Sequence, residues 1–151
     1  MKKLIVLFTT GILSIGFVQS QSIEDARKFL YYERFESAKQ ILESVISKGD
    51  ASPEAWYWLG EIYLHQNKID SAEKVLQEGT AYFNKQDYSK KKNPLLFIGN
   101  AHLLLEKGDS AAAKKLFDEV LTEGKYKNAD ALLAAAKANI ESKHGDSLWA
   151  I

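Results

Sequence analysis

Residues Pro53 to Gly79 read PEAWYWLGEIYLHQNKIDSAEKVLQEG, and this spacing predicts two helices joined by a short polar turn at Gln66 to Lys68. On the first helix Trp56, Leu59, Gly60 and Tyr63 recur at the three-and-four spacing that a 3.6-residue turn brings onto one face. On the second, Ile69, Ala72, Val75 and Leu76 make a facing stripe. Gly60 and Ala72 are small where two helix backbones must approach, and Trp56 and Tyr63 are large enough to fill the space around them.

Trp56, Leu59, Gly60, Tyr63 and Ala72 together resemble a tetratricopeptide repeat, a 34-residue helix-turn-helix unit. The resemblance implies an all-α fold, in which antiparallel helix-turn-helix repeats stack as a right-handed superhelix, an α-solenoid. It also implies the job of binding other proteins. Upstream, Ser22-Ile23-Glu24-Asp25 predicts a capped helix start at Ile23, with Ala26, Phe29 and Leu30 inward. A second helix follows a break near Glu33 and carries Phe35, Ala38, Ile41, Leu42, Val45 and Ile46. Ser52 before Pro53 is expected to cap the central unit, and Asp70 with Glu73 to cap its second helix.

Downstream the period stretches. Ala38 to Ala72 is 34 residues, whereas Ala72 to the next equivalent alanine, Ala113, is 41. The insertion falls within residues 80–93, which hold Tyr82, Phe83, Tyr88 and three consecutive lysines, and two readings of it are open: a binding feature, or aromatics packed over helix ends beside solvated lysines. Pro94 to Leu105 restarts the pattern, with Ala101 favoured over Gly99 as the small step, and Ser110 to Leu121 forms the partner helix. An alanine-rich helix from Ala131 to Ala138 follows. The motif Gly-Asp-Ser-x-x-Ala at 108–113 then recurs at 145–150, so Ile151 falls in the first turns of a further helix. The expected organisation is a domain over 22–151 of about three and a half repeats, the N-terminal portion of a longer protein.

The first twenty residues differ in kind. Lys2 and Lys3 precede an apolar run from Leu4 to Val18 and the small residue Ser20, as a secretory signal requires, with cleavage expected after Ser20. About 15 apolar residues fall short of the ~20 that span a bilayer as a retained anchor. The location expected from this is exported and bacterial, periplasmic or associated with the outer membrane. The absence of cysteine leaves no thiol for a lipid, so any later membrane contact would run through a partner. With 20 basic and 20 acidic residues, no overall field draws the chain to nucleic acid.

Chemistry-bearing patterns are missing. His65, His102 and His144 have no ligand spacing, the glycines form no phosphate loop, and no serine sits in a nucleophile elbow. The expectation is therefore a non-enzymatic scaffold with no cofactor, no metal and no small-molecule substrate. In the family that the chain resembles, first helices line a concave groove that holds partner segments. Carried over, the groove positions are Tyr57, Glu61, Leu64 and His65 in the central unit and Ile98, His102, Leu105 and Glu106 in the next. Arg27 and Tyr31 would extend the strip at one end and Asn139 at the other. This mixture suits a peptide or a helix of another protein, and it lacks the basic cluster that clamps a terminal carboxylate. Tyr57→Ala is expected to weaken binding and spare the fold. Two other roles are open: a targeting arm for an enzyme or peptidoglycan-attached protein whose working part follows residue 151, and self-association at the incomplete last repeat.

Overall fold

A computed structural model of the chain describes residues 22–49, 52–84 and 93–145. The expected signal segment, the part of the insertion holding Tyr88 and the lysines, and the unfinished helix after Asp146 lie outside the described residues. Among the described residues there are seven helices: α1 (Ile23–Tyr31), α2 (Phe35–Ser47), α3 (Pro53–His65), α4 (Ile69–Asn84), α5 (Pro94–Glu106), α6 (Ser110–Glu123) and α7 (Ala129–Glu141). None is long and apolar enough to cross a membrane.

The helix starts follow from local chemistry. The Ser22 backbone N–H donates to Asp25 Oδ2 at 3.1 Å while Asp25 N–H donates back to Ser22 Oγ at 3.2 Å, closing the expected capping box. Asp109 Oδ1 accepts from Ala112 N–H, and Asn128 Oδ1 accepts from Ala131 N–H, capping α6 and α7. Two expectations are corrected. The Ser52 side chain makes no capping bond, because Ala55 N–H donates to the Ser52 backbone carbonyl instead. The second helix of the central unit begins at Ile69, one residue early, since Ala72 N–H already reaches the Lys68 carbonyl; Glu73 is taken by Lys107 Nζ at 2.8 Å.

One turn recurs between paired helices. Arg34, Lys68 and Asp109 N–H donate to the carbonyls of Phe29, Tyr63 and Leu104, in a six-residue closure typical of helix C-termini. In each case the residue before the donor takes a left-handed backbone: Glu33 and Asn67 at φ 56° and Gly108 at φ 82°. Only at Gly108 does the residue type suit that conformation without cost. Pro94 precedes Gly108 by the same interval as Pro53 precedes Asn67, which places Ala101 where the central unit has Gly60, as the register favoured.

Packing follows the repeat. α1 lies on α2, α3 on α4, and α5 on α6; α3 also meets α2 and α5, and α5 meets α4 and α7. The chain is thus an all-α helical repeat solenoid. α5 has neighbours on nearly every side, which explains its apolar circumference. The close approaches are specific. A Cβ on Gly60 would lie 2.7 Å from Leu76 Cδ2, and one on Gly79 would lie 2.7 Å from Trp56 Cβ. α4 continues past Gly79 to Asn84, so the longer period begins as added helix, with Tyr82 beside Trp56 at 6.4 Å between ring centroids and Phe83 packed on the core.

Ala72 and Ala113 are fully buried at the helix–helix contacts. Ala72→Leu is expected to overpack the α3–α4 pair and lower stability by about 1–3 kcal/mol. A thermal melt unchanged by this substitution would contradict the register.

Candidate functional site

α1, α3, α5 and α7 together bound a groove of about 510 Å³. Its wall residues arise from helical spacing: Trp58, Glu61 and His65 on α3, His102 and Glu106 on α5, and Lys137 and Glu141 on α7 each lie three or four residues apart. Tyr31 closes one end and is 81% exposed. His65 stacks on Phe35 with centroids 4.4 Å apart, fixing an aromatic ledge beside it.

Of the residues expected here, Tyr31, Glu61, Leu64, His65, His102 and Glu106 are brought together. Leu64 is buried and backs the wall as part of the core. Arg27 lies beside the groove, its guanidinium 6.0 Å from the Trp58 ring centroid and 3.5 Å from Glu54 Oε1.

Four expected positions are elsewhere. Tyr57, Ile98 and Leu105 are buried in the core between α3, α5 and their neighbours. The reason is the close approach of α5 at Gly99, where an added Cβ would lie 3.1 Å from Tyr57 Cδ2. Truncating Tyr57 would empty a core position, so Tyr57→Ala is expected to cost stability rather than spare the fold. Asn139 is also displaced: it lines a different cavity with Phe117, Leu121, Leu132 and Ile140, and its Nδ2 donates to the Ala135 carbonyl. α7 turns Lys137 and Glu141 toward the groove instead.

Trp58, Lys137 and Glu141 are among the groove residues that sequence reasoning missed, as are Glu33 and Lys143. Trp58 had a readable signal, since it precedes Glu61 by three residues and shares its face. In α7 no such signal exists, because alanines occur on several faces.

The floor holds a buried histidine–glutamate pair across two repeats. His102 Nδ1 lies 3.0 Å and 3.2 Å from the two Glu61 carboxylate oxygens, and both side chains are more than nine-tenths buried. On the other side of the ring, Nε2 is 3.8 Å from Glu106 Oε1. Burial by itself disfavours the charged imidazole, but the Glu61 hydrogen bond and the charges of Glu61, Glu106 and Glu141 outweigh it and raise the His102 pKa. Burial, followed by the negative charges of Glu61, Glu141 and Glu54, pushes the Tyr57 phenol upward, so it stays neutral. Among the described residues no group of three His, Cys, Asp or Glu side chains could hold a metal ion.

Two family models, both described as tetratricopeptide repeat, match the chain, one over residues 29–95 and the other over residues 98–144. No curated protein and no solved structure matches it significantly.

Proposed function

Because this chain belongs to the tetratricopeptide repeat family, we propose that it is a non-enzymatic scaffold of the cell envelope whose partner protein lies along the groove of α1, α3, α5 and α7. The observation that carries this reading is the groove itself. It presents exposed Tyr31, the half-buried Trp58 ring and the His65–Phe35 stack around a polar floor, and aromatic anchors about a desolvated centre are what a protein partner engages. Export is supported by Lys2 and Lys3 ahead of the apolar run from Leu4 to Val18.

A photo-reactive side chain at His65, in the groove, is expected to crosslink an envelope protein in cells, and the same group at Lys74 on α4 is not. Trp58→Ala should abolish the His65 crosslink. Equal labelling from both positions would refute the groove. Mass measurement of the envelope fraction should find a chain starting at Gln21; an uncut chain in the cytoplasm would refute export.

A second reading has its own support. Leu132 and Ile140 on α7, 36% and 83% exposed, line one cavity with Phe117 and Leu121. Self-association through this face would appear as a concentration-dependent mass in light scattering.

A further inference from the structure

The charges of the groove are layered by depth. Its carboxylates are Glu33, Glu61, Glu106 and Glu141, and its lysines are Lys137 and Lys143. Glu61 and Glu106 lie at the floor with side chains only 9% and 11% exposed, whereas Lys143 is at the exposed rim and Lys137 is 3.8 Å from Glu141. His102 is the one cation of the floor among the described residues, and it stands between two carboxylates. With His102 protonated, one negative charge remains uncompensated there. Low-dielectric walls concentrate such a field inside the groove.

Glu106 sets which chemistry the floor can accept. Its contact with His102 Nε2 at 3.8 Å exceeds hydrogen-bond length, so a nearly buried carboxylate lacks a short donor among the described residues. Glu106 keeps only 11% of its side chain open to solvent, and an arriving ammonium or guanidinium would replace that remaining water with a short charge-assisted hydrogen bond. The chain already uses this chemistry at the edge of the groove. Arg27 places its guanidinium over Trp58, whose Nε1 donates to Glu54, and pairs with that same Glu54 carboxylate.

We propose that the segment held in the groove carries a lysine or arginine side chain that seats against Glu106 and Glu61, while apolar residues flanking it lie on Trp58 and Tyr31. This rests on the groove being the binding face. An acidic segment is disfavoured by the same floor, since it would meet two desolvated carboxylates.

The test is selection of short random peptides against the full chain, followed by affinity measurement on variants. Selected peptides are expected to share one lysine or arginine between apolar residues. Glu106→Gln should weaken them about tenfold, replacement of the shared cation by glutamine should do the same, and the two losses should not add. Glu141→Gln, at an exposed position, should weaken them less, and it serves if Glu106→Gln disturbs the fold by circular dichroism. Peptides without a preferred cation that nevertheless depend on Trp58 would overturn the charge assignment and leave the groove intact. If peptides indifferent to Trp58, Glu106 and Glu141 are recovered, or none at all, both the charge assignment and the groove fall.

Discussion

Leu76→Ala should lower the free energy of unfolding by about 3–4 kcal/mol. Leu76 is fully buried on α4, and its methyl groups lie against bare backbone at two glycines. A Cβ on Gly60 of α3 would lie 2.7 Å from its Cδ2, and one on Gly99 of α5 would lie 3.1 Å from the same atom. One side chain therefore joins the two helices of its own repeat to the first helix of the next. Glycine has no side chain that could swing into the space left behind, so the cavity would persist, which places the cost well above simple transfer of the lost atoms. A double-mutant cycle checks the geometry. Gly60→Ala alone should destabilise, because fully buried Leu76, which also lies against Gly99, would have to shift; in the Leu76→Ala background it should be neutral or recover up to about 1 kcal/mol of helix propensity. Additive effects in denaturant titration would show that the two residues do not meet.

The second large effect concerns the pair beneath the groove. Glu61→Ala is expected to cost about 1–3 kcal/mol, because it leaves the buried His102 Nδ1 without the carboxylate that it hydrogen-bonds. Replacing both Glu61 and His102 with leucine should cost far less, since an apolar pair leaves no orphaned polar group. The two outcomes separate the cost of breaking the pair from its net worth. The pair also carries a pH signature. His102 in the folded chain has a pKa above its ordinary 6.5, so its contribution is complete below that value and is lost as the pH rises through the folded pKa. Wild-type stability should therefore lose this contribution as the pH rises from about 6 through the raised folded pKa, and Glu61→Ala should flatten that part of the profile. Parallel profiles would mean that the ring titrates in the folded state as it does in the unfolded one.

Much of the architecture was legible because it rests on local properties. The periodicity of Trp56, Leu59, Gly60 and Tyr63 defined α3, and Ser22 with Asp25 marked the start of α1. The interval from Pro94 to Gly108 resolved the register of α5 in favour of Ala101, and the turn hydrogen bonds agree. Local signals failed by small amounts at helix ends. Ser52 has the residue type of a cap, but its own carbonyl supplies the bond, and α6 runs to Glu123, beyond the expected Leu121.

The binding face was half legible, and the dividing line is physical. Neighbouring positions on a helix differ by about 100° in direction, so a modest change in how two helices cross exchanges which of them is covered. Tyr57 and Trp58 are adjacent in the chain. The approach of α5 at Gly99 covers Tyr57 and leaves Trp58 in the groove wall, and α7 turns Asn139 away while bringing Lys137 and Glu141 in. What the sequence determined by itself was the set of helices, their order, their pairing and the small residues at their contacts, because hydrophobic period and turn chemistry act within a few residues. Only the tertiary structure decided that Glu61 and His102, 41 positions apart, share one buried contact beside Glu106. That juxtaposition depends on the angle and separation between repeats, which arise from the summed packing of both.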